Sequence, residues 1–265
     1  MNRYMPFLED IKVIKNHSIS AEIYKIQCRA FRIPKKIKPG QFIHLKIEPS
    51  SFKSAFPLLR RPFSLCGVET TQNTISILYR IRGLGTSLLS RAKPGEYLNA
   101  LGPLGKGFTL PPCKSKVLIV GGGMGIAPLI FLTDILLKQE IDVTILYGAE
   151  TSSELVALTQ FEQKGVKCIL ATEDGSKGHK GLVTDLLAPL LTKINVDMIY
   201  SCGPLEMMKS VAEYANEQNI SGEVSMESNM ACGVGACLGC AIEVKGKNTN
   251  YYAKVCNLDM LLLHM

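Results

Sequence analysis

Four cysteines near the end of the chain have the spacing to hold an inorganic redox centre. Three lie in Cys232-Gly-Val-Gly-Ala-Cys237-Leu-Gly-Cys240, a C-x4-C-x2-C run, and Cys256 follows after fifteen intervening residues. A [2Fe–2S] cluster takes four thiolates, and three from one loop plus one from outside it suit that demand. Gly233, Gly235 and Gly239 matter as much as the sulfurs. A loop that wraps a cluster needs unusual φ values and close backbone approach, which glycine allows at low steric cost. N–H groups bared in this way can point at the cluster sulfurs and tune the potential. Zinc is the weaker reading, because structural zinc sites more typically show two C-x2-C pairs and this chain has one. Disulfides are weaker too, since they suit small secreted scaffolds.

Two further stretches suit phosphate. The first is Arg61-Pro62-Phe63-Ser64, preceded by Arg60. A rigid proline fixes where the guanidinium points, and arginine binds phosphate oxygens in a bidentate way. Ser64 can offer a hydroxyl or backbone N–H to a ring nitrogen. Further on, Leu78-Tyr79-Arg80 ends a strand, and Gly85-Thr86 falls at the start of an apolar, helix-like segment, a place for an anion or simply a cap. Alone, each of these pieces is a short motif with a bland alternative. The second stretch is Lys116-Val-Leu-Ile-Val-Gly121-Gly122-Gly123-Met124-Gly125-Ile126-Ala127-Pro128. It reads as a buried strand, a glycine-rich turn and an apolar helix. The turn departs from the G-x-G-x-x-G fingerprint, with Pro128 where the third glycine would stand. It still offers bare N–H groups and a positive helix end to a pyrophosphate, the alternative being a turn tightened for packing only.

The elements that must position these groups fall in three parts. Residues 11–110 show short alternating runs, such as Ile11-Lys-Val-Ile, Gln41-Phe-Ile-His-Leu-Lys-Ile and Thr74-Ile-Ser-Ile-Leu-Tyr, punctuated by Pro39-Gly40 and Pro94-Gly95. Regular short strands with such turns predict an antiparallel β-barrel over residues 1–110. Pro111-Pro112 marks a linker. Beyond it, strands at 116–120, 143–147, 166–171 and 197–202 alternate with helices over 153–164, 182–191 and 205–218. That alternation predicts a doubly wound parallel α/β domain over 111–222, with ligands outside the carboxyl ends of its strands. Residues 223–265 remain as a small cluster lobe.

The 265 residues carry a net charge of +7, with 46% hydrophobic and 20% charged residues, so the chain is globular rather than disordered. Its Lys and Arg are scattered, with no basic stripe interleaved by aromatics, which argues against nucleic-acid binding. No apolar run is long enough to span a bilayer, and the first residues lack the apolar core of a signal peptide. A cytoplasmic location is the expectation, with thiols kept reduced and available to metal. Cys28, Cys66, Cys113 and Cys168 read as small core residues.

R-P-x-S, a strand ending in Tyr-Arg, then G-T resembles the flavin-binding barrel of the ferredoxin reductase-like superfamily. The resemblance implies FAD held by Arg61, Pro62, Phe63, Ser64, Leu78, Tyr79, Arg80, Gly85 and Thr86. Cys202-Gly203-Pro204 is similar to the C-G-P that lies beside the nicotinamide in that superfamily. It implies an NAD site formed with Gly121, Gly122, Gly123 and Gly125, and makes Ser64 and Cys202 the catalytic candidates. No arginine stands in 148–153 and Glu150 carries no positive charge for a 2′-phosphate, which leans toward NAD over NADP. Taken in order, flavin barrel, nucleotide domain and C-x4-C-x2-C…C resemble the electron-transfer subunits of type B dihydroorotate dehydrogenase. That resemblance implies metal ligands Cys232, Cys237, Cys240 and Cys256. It also implies an FMN-containing catalytic partner, a heterotetramer of two of each, and electron flow from dihydroorotate through the cluster and FAD to NAD in pyrimidine biosynthesis. The alternative is a reductase subunit of a ferredoxin:NAD(P) oxidoreductase or sulfide dehydrogenase-like complex; a non-enzymatic redox sensor is a further rival.

Overall fold

The structure, a computed structural model, describes residues 5–47, 57–244, 249–257 and 261–262. The chain divides into two compact units, Met1–Gly107 with Glu227–Asp259, and Phe108–Met226 with Met260–Met265. The cysteine-rich segment thus groups with the first strands.

In the first unit, β1 (Phe7–Ser18), β2 (Ile23–Arg29), β3 (Phe42–Lys46), β4 (Arg61–Ser64), β5 (Gly67–Glu69), β6 (Thr74–Arg80) and β7 (Tyr97–Leu104) form one sheet. Its order is β4-β3-β7-β1-β2-β6-β5 and every pairing is antiparallel. The sheet curls until its two ends meet through side chains. Phe63 on β4 and Tyr79 on β6 pack edge to face with ring centroids 6.0 Å apart. This is the expected barrel, with strands that alternation alone did not reveal: β4, β5 and β7. Leu101 to Leu104 complete β7. A short helix, α1 (Leu84–Leu89), follows β6.

Asn16 ties that helix to the barrel wall. Its Nδ2 donates to the Leu89 carbonyl at 2.8 Å and to the Ala92 carbonyl at 3.2 Å, and its Oδ1 accepts from the Tyr79 hydroxyl at 3.0 Å. Three groups of the β6–α1 region therefore depend on one amide.

The second unit holds β8 (Lys116–Gly122), α2 (Ile126–Lys138), β9 (Asp142–Ala149), α3 (Leu158–Gln163), β10 (Lys167–Thr172), β11 (His179–Lys180), α4 (Leu187–Leu191), β12 (Met198–Cys202), α5 (Leu205–Glu217) and β13 (Ser221–Val224). Sheet order runs β11-β10-β9-β8-β12-β13, all parallel, with an antiparallel edge strand β16 (Leu261–Leu262) beyond β13. In the cysteine-rich segment β14 (Ala241–Val244) and β15 (Tyr251–Lys254) pair as a hairpin. β8 is buried along nearly its whole length, as a central strand covered on both faces must be. Leu118 and Val120 pack with Leu187, Met208 and Val211 from α4 and α5. The alternate residues Val117 and Ile119 point to the opposite face.

Two helices differ from expectation. Residues 153–164 break into a 3-10 turn, Ser152–Glu154, and α3. The Tyr147 hydroxyl donates to the Glu154 carbonyl at 3.1 Å, and the Leu158 N–H bonds the Leu155 carbonyl in place of a helical partner at Glu154. Residues 182–191 likewise begin as a 3-10 turn, Val183–Leu186, where the Asp185 carboxylate accepts the Leu182 N–H at 2.9 Å. Among the described residues no helix is long and apolar enough to cross a membrane.

Replacing Asn16 with alanine should destabilise the barrel by about 1–3 kcal/mol, because the buried Tyr79 hydroxyl and two carbonyls lose their partner. Urea denaturation of the variant beside the parent measures this.

Candidate functional site

Cluster geometry begins with the loop. Gly233 and Gly235 have φ of 68° and 83°, as a wrapping loop requires. The third left-handed residue is Leu238, at φ 60°, rather than Gly239. A non-glycine residue held there stores local strain of the kind found at functional sites. The loop is pinned from outside: Lys254 on β15 donates through Nζ to the Gly235 carbonyl at 2.9 Å, and the Val255 N–H reaches the Cys240 carbonyl at 3.1 Å. Lys254 carries no sequence signal for this role, because the contact exists only when the hairpin folds back.

All four cysteines are free thiols. Among the described residues no three His, Cys, Asp or Glu side chains converge on a single-ion site. The contacts are pairwise instead. Backbone N–H of Cys237 donates to Cys232 Sγ at 3.4 Å, and that of Cys256 to Cys240 Sγ at 3.5 Å. N–H groups aimed at cysteine sulfurs stabilise thiolates of the kind that an iron–sulfur centre binds. Burial works against ionising Cys232, but the N–H groups of Val234 and Cys237, with the Cys237 side chain, outweigh it and bring the thiol down to about 6. Burial pushes Cys256 up to about 12, reinforced by Cys240 and by the nearby Cys232. The thiols therefore feel one another across the loop and the hairpin, and the donor set fits the cluster.

The two arginines of the barrel motif have different roles. Arg60 is structural: Nη1 donates to the Asn99 carbonyl at 2.8 Å and to the His44 carbonyl at 3.3 Å, and Nη2 donates to Asn99 Oδ1. Arg61, half-buried, lies along α1. A Cβ built on Gly85 would sit 3.3 Å from Arg61 Nε. The structure thus brings Arg-Pro-Phe-Ser and Gly-Thr together, a guanidinium beside a helix start. Gly83 is the helix N-cap, and the Thr86 hydroxyl accepts the Arg82 N–H at 2.9 Å and the Gly83 N–H at 3.3 Å. Ser64 and Pro62 are half-buried, as is Arg80, while Phe63, Leu78 and Tyr79 are buried in the barrel. Tyr79 stacks on Tyr24 at 5.8 Å, and burial pushes its hydroxyl well above the ordinary range.

In the second unit the glycine turn and Cys202-Gly203-Pro204 meet at the topological switch point, where β9 and β12 leave β8 in opposite directions. The approach is backbone on backbone. A Cβ at Gly125 would lie 2.4 Å from the Cys202 carbonyl oxygen, and one at Gly203 would lie 3.0 Å from Gly122 Cα. Gly121 and Gly122 are closed off by Ile126 and by Met207 with Pro204. Gly123, at φ 52°, has nothing within 4 Å. Three glycines of the turn are therefore demanded by packing, and Gly123 by conformation. Cys202 is fully buried, Gly203 half-buried and Pro204 exposed.

These features together define an iron–sulfur reductase of the ferredoxin reductase-like class. The family described as the iron-sulfur cluster binding domain of dihydroorotate dehydrogenase B matches residues 227–257, and the oxidoreductase NAD-binding domain matches residues 119–213. The chain is 39% identical to the dihydroorotate dehydrogenase B (NAD(+)) electron transfer subunit of Desulforamulus reducens, over 89% of this chain and 88% of that one. Against the subunit of the same name from Geobacillus sp. it is 36% identical, over 94% and 93%. Among solved structures, an NADH-dependent reduced ferredoxin-NADP oxidoreductase aligns with TM-score 0.80 and 25% identity, over 93% of this chain and 85% of that one. The ferredoxin NADP+ reductase of Neisseria gonorrhoeae aligns at TM-score 0.63 and 17% identity, over 79% and 91%, sharing the fold. The chain belongs to the family of dihydroorotate dehydrogenase B electron transfer subunits.

Gly125→Ala should cost about 1–3 kcal/mol through overpacking against Cys202, and should weaken NADH binding. Thermal unfolding and a nucleotide titration would register both losses, with iron content unchanged.

Proposed function

We propose that this chain carries electrons between a catalytic partner and NAD, as the electron-transfer half of an NAD-dependent dihydroorotate dehydrogenase. The partner is an FMN-containing subunit that oxidises dihydroorotate to orotate in pyrimidine synthesis, and the assembly holds two of each chain. The observation that carries the reading is the pairing of Cys232 with Cys237 and of Cys240 with Cys256, in the unit that also sets Arg61 beside Gly85. FAD supplies the change from paired to single electrons, which NAD and a [2Fe–2S] centre cannot exchange directly.

The chain's own residues divide the work. Arg61 and the start of α1 neutralise and orient a pyrophosphate. Ser64, at the end of β4, donates toward the flavin ring. Phe63 and Tyr79 build the barrel wall that holds this strand. Gly121 to Gly125, with Cys202-Gly203-Pro204, shape the nucleotide crevice. Glu150, exposed after β9, disfavours a 2′-phosphate, which supports NAD. Cys232, Cys237, Cys240 and Cys256 hold the irons. Val234, Leu238 and Tyr252, exposed on the cluster segment, supply apolar contact for the partner. FAD on residues 1–110, NAD on 111–222 and the cluster on 223–265 is the proposed division. The rival ferredoxin:NAD(P) reductase reading is less favoured: identity reaches 39% with the dihydroorotate dehydrogenase B subunits and 25% with the reductase structure.

Reconstitution with the FMN-containing subunit should give NAD reduction by dihydroorotate. Cys240→Ser should abolish it while NADH:dye reduction persists. If no such partner co-purifies from the source cell and reconstitution is inactive, the dihydroorotate assignment fails. Ser64→Ala should slow NADH:dye reduction roughly tenfold, the equivalent of one hydrogen bond of about 1.4 kcal/mol; unchanged turnover would remove Ser64 from its role.

A further inference from the structure

The cysteine loop receives a positive charge from outside the cysteine motif. Lys254 ends β15 opposite Ala241, the residue that directly follows Cys240. Its side chain is half-buried, and Nζ donates to the Gly235 carbonyl at 2.9 Å. Among the described residues no carboxylate pairs with this ammonium. Its charge therefore faces the loop without an ion pair to cancel it.

The peptide that Lys254 reaches also serves a sulfur. The Gly235 carbonyl and the Ala236 N–H belong to one peptide unit, and in a trans peptide they point opposite ways. Lys254 sits on the carbonyl side. On the far side the Ala236 N–H bonds the Cys232 sulfur. The N–H groups of Cys237 and Val234 reach the same sulfur at 3.4 Å and 3.5 Å. A cation on the carbonyl polarises the unit and strengthens the N–H at its other end, because hydrogen bonds in a chain reinforce one another. The Gly235 N–H in turn bonds the Cys256 sulfur, so this one glycine touches both ends of the cysteine set. The loop is also seated by packing. At Gly233 it rests on the face of the buried His44 ring, where a Cβ would lie 2.6 Å from Cε1. Loss of Lys254 removes a charge and leaves that seat in place.

We propose that Lys254 is a positioning residue for the iron–sulfur centre: its ammonium, bound to the Gly235 carbonyl, polarises the Gly235–Ala236 peptide toward the Cys232 sulfur and raises the potential of the centre. The inference rests on the reading of the four cysteines as cluster ligands. Reduction adds one negative charge, and local charge and hydrogen bonds to the sulfurs set how readily it is accepted. A nearby ammonium and a strengthened N–H donor both favour the reduced form.

The test uses the full chain with its cofactors, prepared anaerobically, and follows the reduced centre by EPR through a redox titration. Lys254→Met keeps the apolar stem and loses both charge and donor. Its midpoint should move negative by roughly tenfold in the one-electron equilibrium constant, about 59 mV. Lys254→Gln, a neutral donor, should fall between Lys254→Met and the parent, and Lys254→Arg should stay with the parent. An unchanged or more positive midpoint in Lys254→Met overturns the proposal. Equal midpoints in Lys254→Arg and Lys254→Gln overturn it too, a comparison that holds when Lys254→Met fails to fold. If all three variants lose the iron that the wild type holds, Lys254 is a folding contact and the proposal falls. Wild-type protein that binds no iron overturns the cluster reading itself, and the proposal with it.

Discussion

A chain can hold a two-iron centre only if it brings together thiols that are far apart in sequence, and here the junction between loop and hairpin does this. The Cys256 N–H reaches Cys240 Sγ and the adjacent Val255 N–H reaches the Cys240 carbonyl, two backbone contacts that lock Cys256 to Cys240. Lys254, at the end of β15 just before them, holds the middle of the loop. Without these contacts three cysteines would remain on a glycine-rich loop with little to fix it. The loop's left-handed residues, Leu238 included, are sustained by this anchoring.

The same economy of backbone contact governs the nucleotide unit. Gly125 against Cys202, and Gly203 against Gly122, allow two strand-end turns to approach more closely than any side chain would permit. The crevice of a doubly wound sheet opens where strand order reverses, and these turns stand at that reversal. Packing and ligand reach are thus not rival explanations for the glycines. Gly121, Gly122 and Gly125 close the turn, and that closure leaves Gly123 exposed to open space.

In the barrel, neighbouring residues of one motif serve different ends. Arg60 and Arg61 are identical in type, yet Arg60 is committed to Asn99 and the β3 backbone, while Arg61 lies along Gly85. A strand's side chains alternate in direction, so adjacent arginines point to opposite sides. Tyr79 shows the same division between motif and structure: its ring packs on Tyr24 and Phe63 and its hydroxyl answers Asn16, which in turn holds α1.

The linear chain by itself determined the kinds of chemistry available. Cysteine spacing, the glycine turn after an apolar strand, and Arg-Pro-Phe-Ser followed by Gly-Thr are local patterns, and local patterns survive being read one residue at a time. The β and α/β halves were legible for the same reason, since periodicity and turn residues are short-range signals. Strands β4, β5 and β7 were not, being short or lacking clean alternation, and the 153–164 segment divides into a 3-10 turn and α3. Tertiary structure alone decided which of two arginines meets the helix start, how four thiols sort into pairs, and that a histidine on β3 lies under the cluster loop. Those outcomes depend on contacts between residues up to 189 positions apart, as with His44 and Gly233, and such contacts leave no trace in spacing.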